Sequence, residues 1–98
     1  MLVKIIKSQR YIVAICDSEL LGKKFEEGNL QIDIKDNFFN GEEKNEQETI
    51  DIIIRMIMED ATFYIVGENS VNTAIKSEIV ESSQVKRIQG VPVVLILM

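Results

Sequence analysis

The sequence predicts an α+β fold, a two-layer sandwich with helices packed on one face of a mixed, largely antiparallel sheet. Three observations lead there. The β-branched runs "LVKIIK" at 2–7 and "YIVAIC" at 11–16 are separated by the polar "SQR" and read as a hairpin. Two later stretches, 46–58 and 71–80, repeat apolar residues at helical spacing. The resulting order, β β short-α β, loop, α β α β β, has neither regular β-α-β alternation nor an internal repeat.

The second run carries no charge on either face, which places it centrally in the sheet. Asp17 or Ser18 can cap a short helix over 18–28, with Leu20, Leu21 and Phe25 as its apolar side and an end at Gly28 and Asn29. "LQIDIK" alternates Leu30, Ile32 and Ile34 against Gln31, Asp33 and Lys35, a strand with one wet face. "DNFFNGEEKN" reads as a loop or tight hairpin in which Asn40 and Gly41 suit positive φ and the two phenylalanines anchor to the core. Asn45 followed by Glu48 is a capping-box start for a helix from about Glu46. Its Ile50, Ile53, Ile54 and Ile57 keep core spacing, while Ile52, Met56 and Met58 spread apolar surface further. "TFYIV" is a strand leading through Gly67 into a helix with Val71, Ala74, Ile75 and Ile79 on one side. "SSQ" then breaks the chain before the strand "VKRI", the turn "QGVP" and the uncharged terminal strand "VVLILM".

Ninety-eight residues form one domain, 1–98, and 46% hydrophobic against 28% charged residues is globular composition. The formal charge of −5, from 11 Lys and Arg against 16 Asp and Glu, gives no general attraction for phosphate. Lys4, Lys7, Arg10, Lys23 and Lys24 nevertheless cluster in the first 24 residues. With no histidine and one cysteine, the chain cannot by itself assemble a Ser/His/Asp triad, a Cys/His dyad or a Cys-and-His zinc site. No metal, cofactor or catalytic residue is assigned. A lone cysteine fits a reducing cytoplasm. The opening "MLVKII" is too short for a signal peptide, and no stretch approaches the ~20 apolar residues of a spanning helix.

Cys16 at a strand end before a helix start could be an activated thiolate, but Asp17 opposes its ionisation and burial is the commoner fate of cysteine. "VGENS" combines a strand, Gly67 and a helix N-terminus, an arrangement that presents backbone N–H groups to an anion. It lacks the glycine-rich phosphate motifs, and capping by Asn69 or Ser70 accounts for the same residues. Gly90 before Val91 and Pro92 is turn chemistry. The candidate binding residues are therefore Cys16, Asp17, Gly22, Lys23, Lys24, Gly67, Asn69, Ser70 and Gly90.

Taken together, "CDSELLGKKFEEGNLQIDIKDNFFNGE", "VGENSVNTAI" and "RIQGVP" resemble the archaeal domain-of-unknown-function 424 family over nearly the whole chain. The Cys-Asp and Leu-Leu-Gly marks of that family are matched by Cys16, Asp17, Leu20, Leu21 and Gly22. Where members carry Phe-Tyr-Gly-Gly the chain has Phe38, Phe39, Asn40 and Gly41, and where they end Gly-Gly-Val-Pro-His it has Gln89, Gly90, Val91, Pro92 and Val93, without the histidine. The resemblance implies a two-layer α/β sandwich, no described activity, and a link to archaeal translation or RNA handling. The expected function is a non-catalytic binding or accessory module with RNA or a translation-machinery protein as partner. Its surface is formed by the Cys16–Lys24, Gly67–Ser70 and Gly90–Pro92 turns. The alternative is a small-molecule or anion (phosphate or nucleotide) binding protein, or a small enzyme, using the Gly67 loop. A homodimer through helix 50–58 or the C-terminal strand is a third expectation.

Overall fold

The computed structural model describes residues 1–97. It is an α+β fold built on a six-stranded mixed sheet. Strands β1 (Leu2–Lys7) and β2 (Tyr11–Cys16) form the expected antiparallel hairpin, with Val3 opposite Ile15 and Ile5 opposite Val13. β3 (Lys24–Glu27) and β4 (Leu30–Asp33) pair in a separate two-stranded sheet. A single-turn helix α1 (Asp36–Phe39) and a two-residue strand β5 (Glu42–Glu43) lead into α2 (Glu46–Ile57). Then follow β6 (Thr62–Val66), α3 (Glu68–Lys76), β7 (Lys86–Ile88) and β8 (Val91–Ile96). The large sheet runs β5-β1-β2-β6-β8-β7, and β2–β6 is its parallel pair.

The two faces of this sheet are covered differently. Val13 and Ile15 of β2, Phe63 and Ile65 of β6 and Val94 of β8 meet Ile53 and Met56 of α2 and Val71 and Ala74 of α3, the helical layer. On the opposite face Ala14, Cys16 and Val66 meet Ile34 and Phe39, with Leu20, Leu21 and Phe25 packed against them. Phe38 stands edge-on to both Phe39 and Tyr64, at 5.2 Å between ring centroids in each pair. A central strand buried on both faces must be apolar throughout, as β2 is.

Helix α2 starts where its capping box places it: the Glu48 N–H donates to the Asn45 side chain and the Glu48 carboxylate accepts from the Asn45 N–H. Ile53, Met56 and Thr49 are buried, whereas Ile54 and Met58 stay exposed. Helix α3 ends at Lys76, sooner than the apolar spacing predicts, and Ile79 packs on the core from beyond it, after Glu78 turns left-handed.

Two readings are corrected. The short helix expected over 18–28 is a 3₁₀ turn at Ser18–Leu20 followed by β3. Gly22, at φ +84, stops the helical path, and Leu20, Leu21 and Phe25 pack against the sheet instead. Asn40 and Gly41 do not take positive φ. Gly41 is required for a different reason: a Cβ there would lie 2.1 Å from the Val3 carbonyl oxygen, because the chain crosses the β1 backbone in contact. The terminal strand lies between β6 and β7 as expected of an uncharged run, yet Leu95 and Leu97 are exposed, and Met98 lies outside the described residues. Among the described residues no helix is long and apolar enough to cross a membrane.

Replacing Gly41 by alanine should therefore push β5 off β1 and cost about 3 kcal/mol. Urea unfolding followed by circular dichroism measures this, and a midpoint within error of the parent would contradict the close approach.

Candidate functional site

Cys16 and Val66 are register partners in the parallel pair, so β2 and β6 end side by side and the following residues, Asp17 and Gly67, leave from the same end of the sheet. The Asp17 N–H extends the pairing by donating to the Val66 carbonyl at 3.1 Å, and the Gly67 N–H donates to the Pro92 carbonyl at 2.9 Å. Helix α3 begins immediately after Gly67. Its first turn carries N–H groups with no intrahelical acceptor and the positive end of the helix dipole.

The Asp17 side chain meets those groups. Its Oδ2 accepts from the Asn69 N–H at 3.1 Å, and its Oδ1 accepts from the Ser70 N–H at 2.8 Å and the Ser70 hydroxyl at 2.7 Å. Asp17 is only 4% exposed, and a carboxylate so buried is tolerable because three donors and the dipole compensate its lost hydration. Gly67 is essential to the junction. It sits at φ +111, and a Cβ there would fall 2.4 Å from the Asp17 carboxyl carbon.

This arrangement corrects the capping expectations. Asp17 caps no helix of its own, since its side chain makes no bond to the Ser18–Leu20 turn. Asn69 and Ser70 are not the acceptors at the start of α3 but its donors, and the acceptor comes from a residue more than fifty positions earlier. The anion-binding alternative meets the same fact. The N–H groups of Asn69 and Ser70 are held by the protein's own carboxylate and that of Gly67 by Pro92, so a phosphate at these donors would have to displace Asp17.

Cys16 is fully buried under Ile34 and Phe39. Burial, with the Asp17 charge adding to it, pushes its thiol from 9.0 up to about 11. At neutral pH it is a protonated, enclosed group and not a nucleophile.

The remaining candidates lie on turns at the same end. The Gly22 N–H donates to the Ile34 carbonyl at 2.8 Å and the Lys23 carbonyl accepts from the Ile34 N–H at 2.9 Å, closing the base of the β3–β4 hairpin. Lys24 is paired with Glu26 at 3.3 Å, both exposed. Gly90 shares the β7–β8 turn with Gln89. Residues outside that set of candidates bind these turns together. Arg87 donates to the Glu68 carboxylate and to the Gly90 carbonyl, each at 2.8 Å. The Gln89 N–H donates to the Glu27 carboxylate at 2.7 Å, and the Gln89 side chain accepts from the Glu26 N–H at 3.3 Å. No local pattern signals these links, because their members are separated by up to 63 positions.

Cys16, Asp17, Gly67, Asn69 and Ser70 are thus brought together, Gly90 joins them through Arg87 and Glu68, and Gly22, Lys23 and Lys24 form the neighbouring hairpin base. Asn69 also lines an open cleft of about 800 Å³ between the start of α2 and the length of α3, which Lys76 and Glu46 span with a 3.1 Å ion pair. Among the described residues no group of three or more His, Cys, Asp or Glu is placed to hold a metal ion.

Two outcomes are expected. Asp17→Ala should lose about 3 kcal/mol in denaturant unfolding, since it strands buried donors, and Asp17→Asn should lose less by keeping one acceptor; equal stability of Asp17→Ala and the parent would refute the junction. The Cys16 thiol keeps its proton in the folded state up to about pH 11 and releases it near 9.0 when unfolded, so its contribution is fully present below pH 9 and is lost towards 11. Stability across that window should fall more steeply, by up to about 3 kcal/mol, in the parent than in Cys16→Ala. Parallel pH profiles would contradict it.

The fold recurs in the crystal structure of an uncharacterized conserved protein from Methanopyrus kandleri, at a TM-score of 0.86 and 19% sequence identity, covering 97% of this chain and 88% of that one. No curated protein matches the sequence. The family described as "Protein of unknown function (DUF424)" matches residues 6–98, and the chain belongs to that family.

Proposed function

We propose that the protein is a non-catalytic binding or accessory module whose partner is a macromolecule of translation or RNA metabolism, the setting implied by the family resemblance. The observation that carries this reading is the filled start of α3. The carboxylate and the backbone donors on which a reaction or a phosphate would rest are bound to each other, and the one thiol is buried beside them. What the junction leaves outside is a rim of exposed residues, Gly22, Lys23, Lys24, Gln89 and Gly90, on turns tied to one another by Glu27, Glu68 and Arg87. A rim held in this way is ordered before any partner arrives, which lowers the entropic cost of binding.

Fluorescence titration of the labelled protein against transfer and ribosomal RNA, over a range of salt, tests the RNA partner. Saturable binding that weakens with salt is expected, with the logarithmic salt slope falling by about two in Lys23→Glu/Lys24→Glu, one for each cation removed. Absence of salt-sensitive binding at low ionic strength removes RNA and leaves a protein partner. A thermal-shift screen of phosphate and nucleotides should be flat, and stabilisation of about 2.7 kcal/mol at a hundred times Kd would overturn the reading in favour of anion binding.

A further inference from the structure

The outer edge of β1 is only partly covered. β5 pairs with it at Leu2 and Val3 alone, through Glu43 and Glu42. From Lys4 to Lys7 the strand pairs with β2 on one side and, among the described residues, with no strand on the other. Among the described residues nothing else closes this edge. Helix α1 ends at Phe39, two residues before Gly41, and Gly41 crosses so close to Val3 and Lys4 that not even a Cβ would fit.

An open groove of about 600 Å³ runs along the edge, with Val3, Ile5 and Ile52 as its apolar residues and Lys4, Lys44 and Arg55 as cations. Glu42 is the one carboxylate lining it and is paired with Lys44 at 3.0 Å. In a chain of net charge −5 this is a local reversal of sign at a place where backbone N–H and C=O groups lack a strand partner. Ile5, 40% exposed, adds an apolar contact.

We infer that this edge is a docking site for an acidic, extended peptide segment of a partner protein, added to the sheet as a further strand beside Lys4–Lys7. Strand addition supplies backbone hydrogen bonds, and alternate side chains supply selectivity. Successive residues of β1 face opposite ways, so apolar side chains of the incoming strand lie beside Ile5 and Ile52 on the face that also carries Arg55, and its alternate carboxylates point to the other face, towards Lys4, whose ammonium also donates to the Asn37 carbonyl at 2.8 Å. A second copy of this chain fits poorly, because its own β1, LVKIIK, brings two lysines and no carboxylate to the cations of this edge. Nucleic acid has the charge but no alternating N–H and C=O groups to complete a sheet edge. The site is separate from the Gly22–Gly90 rim and does not depend on it.

The test is a titration of the isotope-labelled full chain with an end-blocked octapeptide of alternating valine and glutamate, read by amide chemical shifts and hydrogen exchange. Saturable shifts and slowed exchange centred on residues 4–7 are expected. Affinity should fall about tenfold in Arg55→Glu, a surface change checked by unaltered thermal unfolding. The valine–lysine peptide and a peptide N-methylated on alternate amides should not bind. The inference is overturned by absence of shifts, by shifts centred elsewhere, or by equal binding of the N-methylated peptide. It is equally overturned if oligouridylate moves the same amides and displaces the peptide, or if self-association of the chain accounts for the shifts. Each of these outcomes leaves the RNA titration at Lys23 and Lys24 as an independent result.

Discussion

The bond between the Asp17 carboxylate and the first turn of α3 is the constraint on which the rest of this structure hangs. It joins the end of β2 to the beginning of the helix that follows β6, and so fixes how the parallel pair hands its chain to the helical layer. A helix start needs acceptors and a buried carboxylate needs donors, and each requirement is met by the other. The approach is close enough that position 67 must be glycine on steric grounds as well as for its backbone angle.

That interaction also reassigns the residues with the most reactive chemistry. An aspartate beside a cysteine, facing a glycine and a helix N-terminus, has the composition of an active site. In three dimensions the aspartate is spent on the helix, and the cysteine is packed between the sheet and the residues Ile34 and Phe39. The same charge that caps α3 helps to hold the thiol protonated, so the two residues reinforce a structural role. The surfaces left around them are the cross-tied turns at the ends of β2, β6 and β7 and the part of the β1 edge that β5 does not cover.

The sheet explains why those surfaces exist. One face is closed by α2 and α3, whereas the other is closed only where the β3–β4 hairpin and α1 reach it. The hairpin must be anchored to stay in place, and its hydrogen bonds to Gln89 anchor it to the β7–β8 turn. On the far side β5 is too short to complete β1, and its two residues leave the remaining edge beside a cationic groove. Rigid turns at one end and an incomplete edge on one flank are both consequences of how few residues cover a six-stranded sheet.

Much of the fold was legible in the chain. The uncharged run 11–16 marked a central strand, Asn45 and Glu48 marked the start of α2, and the order of elements marked an α+β sandwich with a mostly antiparallel sheet, because periodicity and capping act over a few residues. The stretch 18–28 was misleading for the same reason, since its apolar spacing suits a helix locally and only packing against the sheet makes it a turn and a strand. By itself the sequence determined what chemistry is absent, the absence of histidine and of a second cysteine, and which residues could be caps. Only the tertiary structure decided that Asp17 caps the helix at Glu68–Lys76, that Gly41 is there for contact with β1, and that, among the described residues, no strand covers the outer edge from Lys4 to Lys7. Those outcomes depend on which distant backbone lies alongside, and no local pattern of residues encodes that.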